Sequence, residues 1–327
     1  GGACAVHPCA NGTRDGDETD VDCGGSCAPC ADGASCQVAA DCGNGVCDAN
    51  VCGSASCNNG VKDGLETDVD CGGSHCQACL AGEGCGAGTD CVSGTCKSGS
   101  CSRCVEVPPP GGGDGYCIDA TEVTQGQYAA FLQAGTGTNS QPNYCEWNNN
   151  YQPATSGGDC TSSSFAPSTH PDRPVVCIDW CDAAAYCAWA GMRLCGAIGG
   201  NSTDFDNNTS AAASQWHNAC TASGANVYAY GSAFEPLSCN GQDYGAAASV
   251  PVGQASACTA ESAPFSSLRD MSGNVWEWED ACESYKNKHD KCHGRGGGYA
   301  TATLSCSQKL TVSRSTVRAD LGFRCCN

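Results

Sequence analysis

Thirty-three of the 327 residues are cysteine, and no other feature limits so strongly what the chain can become. Thiols at that density either pair or bind metal. Zinc sites need Cys-x-x-Cys knuckles with regular partners. Cys27 with Cys30, and Cys76 with Cys79, have the knuckle spacing, but each pair sits among six other cysteines and the chain has only six histidines. The residues therefore predict a disulfide framework made in an oxidising compartment, which places the protein outside the cytosol, extracellular or at the cell surface. The odd count leaves at least one cysteine without an intramolecular partner. Cys306 and the adjacent Cys325 and Cys326 are candidates.

The first hundred residues repeat. The segment from Cys9 to Cys23 recurs from Cys57 to Cys71, an offset of 48 residues, and eight cysteines fall in each copy with matching spacing apart from one residue inserted before Cys76. Modules this small bury too little apolar surface to offset their chain entropy, so crosslinks must hold them, four to a module. Pairing cannot be deduced from spacing. Cys4 and Cys104 flank the array and could close it. The predicted organisation is residues 1–56 and 57–104 as two Cys-rich modules, 105–115 as a Pro/Gly linker, and 116–327 as a larger domain holding every tryptophan and phenylalanine.

Charge excludes some partners. The net charge is −20, with 35 acidic residues against 15 basic, which argues against nucleic acid and anionic membranes. No apolar run is long enough to span a bilayer. The chain opens at Gly1 with no Met or basic leader, and is read as a processed mature form. The acid concentrates in the repeats. Asp15, Asp17, Glu18, Asp20 and Asp22 lie together in the first, and Asp63, Glu66, Asp68 and Asp70 in the second. A solvated acidic loop and a calcium site are both open readings, because calcium takes six to eight oxygens. These loops resemble the calcium loops of thrombospondin-type repeats, which implies calcium.

In the larger domain a helix is expected over Thr124–Gln133 with Thr121 as its cap, and another from Asp182 to Trp189 ending at Gly191. Short strands and long loops make up the remainder, an α+β composition. Five segments carry a resemblance: Tyr116-Cys-Ile-Asp-Ala-Thr-Glu-Val-Thr-Gln-Gly-Gln-Tyr128, Arg173 to Leu194, Asp270-Met-Ser-Gly-Asn-Val-Trp-Glu-Trp278, and the closing pair Arg295-Gly-Gly-Gly-Tyr299 and Leu321-Gly-Phe-Arg-Cys325. In this order they resemble the formylglycine-generating enzyme family, also called sulfatase-modifying factors. The resemblance implies a compact α+β domain related to the C-type lectin fold, with little regular secondary structure.

It also implies where chemistry should sit. Active relatives place two cysteines after the Arg-Gly-Gly segment, whose thiolates bind copper and use oxygen to convert a substrate cysteine to formylglycine. The matching positions here are Thr301 and Cys306. A hydroxyl is a poor Cu(I) ligand, so copper is not expected and Cys306 is expected in a disulfide. Iron chemistry of related branches needs clustered histidines, and His170, His217, His289 and His293 lack ligand spacing. The family's structural calcium maps to Gly273, Asn274, Val275 and Glu277, with a second site at Asn240 and Gly241. An alternative for Glu277, set between two tryptophans, is an arginine partner such as Arg295 or Arg324.

The expected function is a non-catalytic extracellular structural or adhesive protein that associates with itself into a fibre or surface layer. Two alternatives stand beside it. One is a module binding a glycan or surface ligand, with the aromatic and polar loop Asn143–Tyr151 stacking on a sugar. The other is a copper-dependent oxidase.

Overall fold

The computed structural model describes residues 8–53, 57, 60–62, 64–74 and 76–327, in two compact units that divide between Arg103 and Cys104. Each repeat of the first unit is a chain of turns around its own sulfur core. The first pairs Cys9 with Cys27, Cys23 with Cys30, Cys36 with Cys47, and Cys42 with Cys52. The second repeats that connectivity from Cys57–Cys76 to Cys91–Cys101. In both, first joins third, second joins fourth, and the last four follow the same rule. Regular structure is limited to two-stranded ribbons, β1 (Cys47–Asp48) with β2 (Val51–Cys52), then β3 (Cys96–Lys97) with β4 (Ser100–Cys101). With cysteine the main buried apolar residue, each short loop depends on bridges worth about 2–4 kcal/mol apiece.

The second unit begins earlier than the sequence predicts. Val105 and Val107 are buried while Glu106 is exposed, and this two-residue alternation is that of a strand. Strand β5 (Cys104–Val107) pairs antiparallel with β6 (Tyr116–Asp119), and Cys104 bonds to Cys117. Residues 108–115, read as linker, are thus the turn of a hairpin, and Cys104 belongs to the larger unit rather than to the array. Strand β7 (Arg193–Leu194) and the C-terminal β12 (Cys325–Cys326) complete a sheet ordered β5-β6-β12-β7. The neighbours Cys325 and Cys326 bond to Cys187 and Cys195. Successive strand residues face opposite sides, so one dipeptide anchors two parts of the chain more than 130 residues away.

A second four-stranded sheet has the order β10-β9-β8-β11, from β8 (Trp276–Cys282), β9 (Lys291–Arg295), β10 (Lys309–Ser313) and β11 (Leu321–Phe323). Only β11 runs parallel to its neighbour β8. Helix α1 is Gln125–Gln133, and its cap is Thr124 instead of Thr121: Thr124 Oγ1 accepts from Gln127 N at 3.2 Å while Gln127 Oε1 accepts from Thr124 N at 3.0 Å. This reciprocal box fixes the start. Helix α2 is Trp180–Trp189, two residues longer than expected, because Asp179 accepts from the N–H groups of Cys181 and Asp182. A third, short helix α3 (Gln215–Cys220), capped by Ser214, is not among the helices expected from the sequence. Tyr128, Phe131 and Tyr186 of the two longer helices pack with Trp278 and Phe323 in the main core.

All 32 cysteines among the described residues are in disulfides. Cys306, Cys325 and Cys326 are therefore not the odd ones, and the remaining cysteine, Cys4, lies outside the described residues. No helix among them is long and apolar enough to cross a membrane.

Candidate functional site

The acidic residues of the repeats divide into two groups. In the first repeat Glu18 is buried, and its Oε2 accepts from the N–H groups of Asp15 and Asp22 at 3.2 and 3.3 Å. Asp22 accepts from Asn11 N and Gly12 N, and Asp15 from Asn11 Nδ2. Asp15, Glu18 and Asp22 thus gather on one turn. Asp17 turns away to Ser26 Oγ, and Asp20 to Ser35 N at 2.6 Å. The second repeat does the same with Glu66 on Asp70 N, Asp70 on Gly60 N and Asp68 on Gly84 N. Asp63 lies outside the described residues. Backbone N–H donors, first Ser35 for Asp20 and Gly84 for Asp68, hold these carboxyls below their ordinary value. The sequence reading missed Asp41 and Asp90, each of which accepts three backbone N–H groups across its repeat. Their recurrence at matching positions was the signal. The close triads of potential ligand atoms in the repeats, such as Cys9, Glu18 and Cys27, each contain disulfide sulfurs, which are not thiolate ligands.

In the larger unit the Gly-Asn-Val-Trp-Glu-Trp segment runs into β8, and strand alternation accounts for its composition. Trp276 and Trp278 face the apolar core, while Glu277 and Glu279 face a buried polar centre. Glu277 is 1% exposed and takes Arg324 in a two-pronged pair, at 2.6 and 2.7 Å, with Trp216 Nε1 donating at 2.7 Å. Arg324 spends its other donors on the carbonyls of Asp119, Ala120 and Arg269. Of the two arginines considered for Glu277, Arg324 is the partner. Calcium does not fit Glu277, because both oxygens already face a guanidinium that a divalent cation would repel.

Asn274 is bound on all sides. Its Oδ1 accepts from Asn240 Nδ2 and Val250 N, and its Nδ2 donates to Glu122 Oε1 at 2.9 Å. Gly273 has φ +83°, and a Cβ there would sit 2.7 Å from Asn240 O, so only glycine lets the two segments meet. Asn240 Oδ1 is buried without a donor and suits a cation, but it is a single oxygen where calcium needs six to eight. Glu122 Oε2 and Asp270 Oδ1 are also buried without a donor. Burial first, then the neighbouring Asp270, pushes the Glu122 carboxyl well up, and burial raises Asp270 to about 6.

Thr301 and Cys306 do not form a ligand pair. Thr301 Oγ1 accepts from Gly298 N at 3.0 Å, closing a turn. Cys306 is fully buried and bonded to Cys220 of α3. A two-thiolate copper centre does not fit this arrangement. Arg295 lies beside the bridge, donating to Cys306 O at 3.2 Å and to His217 Nδ1 at 3.1 Å, and it lies over the Trp216 ring. Glu279 stands 3.6 Å away as its counter-charge. Burial, then Arg295, pushes His217 down to about 4, so the ring is neutral and accepts. His293 instead contacts Phe205 O and Thr311.

A domain of few helices and two small sheets, with buried Glu277 clamped by the arginine of the closing Leu-Gly-Phe-Arg segment, defines the class of fold expected from the motifs. The family model described as "Sulfatase-modifying factor enzyme 1-like domain" matches residues 111–327, and the chain belongs to that family. Among curated proteins none matches. Of solved structures, that of CarF is 22% identical over 66% of this chain and 87% of its own, with a TM-score of 0.44. PvdO from Pseudomonas aeruginosa is 18% identical, covering 68% of this chain and 89% of its own, at 0.39. Treponema denticola variable protein 1 is 19% identical over 65% and 84%, at 0.38.

Proposed function

We propose that this chain is a non-catalytic member of its family that serves outside the cell as a structural or adhesive protein, associating with further copies of itself. The observation that carries the reading is the Cys220–Cys306 bridge with Thr301 at the companion position. Copper-dependent oxidation of a cysteine needs soft thiolate ligands, and here one sulfur is tied up and the other is replaced by a hydroxyl. Stapled acidic modules in tandem suit a durable surface component. The sixteen bridges among the described residues staple both units, as a protein exposed to an oxidising exterior requires. Calcium belongs to this reading at the first repeat, where Asp15, Glu18 and Asp22 gather and keep unused lone pairs.

The test is direct. Unreduced protein is incubated with copper, oxygen and a cysteine-containing peptide, and the peptide is weighed by mass spectrometry. An unchanged mass is expected. Conversion of the cysteine to formylglycine would show a working oxidase and end the non-catalytic reading.

A further inference from the structure

Between α2 and the segment 136–152 lies a groove. Its floor is the small-residue face of α2, with Ala184 and Ala185 half-buried and Ala188 exposed. Bulkier side chains there would fill it. One wall is Trp189, which is 42% exposed although Phe131 and Tyr186 hold its ring, each at 5.6 Å between centroids. A core-covering tryptophan would be buried, whereas this one is fixed from behind and presented to solvent. The opposite wall includes Tyr144, itself held against Arg314. The Cys145–Cys181 bridge ties the segment to α2, so the groove exists before any ligand arrives and little ordering entropy opposes binding.

The cavity is about 440 Å³, and a second of about 380 Å³ adjoins it through Thr136 and Tyr151. Side-chain amides rim the pair: Gln141 on the first, and Asn139, Asn149, Asn150 and Gln152 on the second. No Asp, Glu, Lys, Arg or His lines either cavity, in a chain with 35 acidic residues. A charge-free depression on so acidic a protein repels anions and offers cations no partner, so its ligand is neutral. Amides both donate and accept, which matches hydroxyl groups, and an exposed indole offers a flat apolar face with a fixed orientation. Size points the same way, since each cavity falls within the range of about 300–1,000 Å³ usual for ligand sites.

We infer that this groove binds a neutral oligosaccharide, with the apolar face of one ring on Trp189 and hydroxyls of the next residues on the amides around Asn149 and Asn150. Aromatic stacking is thus supplied by α2 and not by the loop Asn143–Tyr151, whose Trp147 donates inward to Tyr144 O. The inference goes beyond the structural reading and does not depend on it, because the peptide assay reports on the Cys306 region alone.

The test applies full-length unreduced protein to an array of neutral gluco-, manno-, galacto- and N-acetylhexosamine oligomers together with sialylated and uronic acid chains. Binding confined to neutral oligomers is expected, with tryptophan fluorescence shifted on titration of the best one in solution. Trp189→Ala should weaken that titration at least tenfold. Because Trp189 also packs on Phe131 and Tyr186, Ala188→Arg is the second variant. It changes an exposed helix position, should keep the thermal midpoint, and should block the floor with the same tenfold loss. No neutral hit on the array, hits confined to acidic chains, or binding unaltered by Ala188→Arg would each overturn the assignment.

Discussion

Glu122, Asp270 and Glu277 bring three buried carboxyl groups to one arginine, Arg324. Glu277 takes the guanidinium. The other two are left with a buried oxygen each, and a carboxylate oxygen can only accept. A proton on Glu122 turns one orphan acceptor into a donor, which is why burial and the neighbouring acid push both carboxyls up. The sign follows from linkage. A raised folded-state value means that the folded chain holds more protons than the unfolded one, so this stability is present below the ordinary value of 3.8 and is lost as pH rises through about 6 for Asp270 and about 7 for Asp179. The larger unit should therefore lose on the order of 2–3 kcal/mol per group between pH 4 and 7. Asp270→Asn keeps an acceptor for Gly253 N and tolerates the left-handed backbone at φ +53°. Guanidinium melts at pH 4, 5.5 and 7 should show a smaller slope with pH in this variant than in the parent. Equal slopes would mean that Asp270 does not carry the proton.

In the repeats the working element is a turn stapled by sulfur and tied by one carboxylate. Asp90 joins three N–H groups from two turns, those of Gly86, Ala87 and Gly73, and is held below its ordinary value chiefly by the Ala87 and Gly86 donors. Asp90→Ala leaves three donors to find water, and the change should loosen the second repeat without touching a bridge. Its disulfides should be reduced several-fold faster by a mild thiol, followed by mass spectrometry after alkylation, with the first repeat unchanged as internal control. A rate equal to that of the parent would show that the bridges alone define the turn. The same element scale explains where helix and strand expectations shifted. Caps at Thr124 and Asp179 moved both helix starts, because side-chain acceptors compete locally for the first N–H groups. The alternation of Val105, Glu106 and Val107 was readable as a strand, but the Pro/Gly run beside it reads as linker until β6 is seen to pair with it.

For the whole molecule, the proposal of self-association is settled by cryo-electron microscopy of native, unreduced protein in calcium and again after chelation. Ordered filaments or sheets that disperse on chelation are expected, and uniformly dispersed single chains in both conditions would remove the structural reading. Composition and repeat spacing were sufficient to determine an oxidised, acidic chain with two like modules and a larger domain, because cysteine density, charge and periodicity are properties of the sequence alone. The motifs at Asp270–Trp278 and Leu321–Cys325 likewise identified the family that the residues 111–327 match. Pairing of cysteines was not determined, since many connectivities satisfy one spacing, and only the folded chain brings Cys220 to Cys306 or Cys325 to Cys187 across long separations. The role of Glu277 was likewise decided in three dimensions, where the alternation of β8 turns it towards Arg324, 47 residues on. So was the groove, whose indole and alanine floor come from α2 and whose amide rim comes from the segment 136–152, two parts of the chain that the Cys145–Cys181 bridge and the aromatic core hold together.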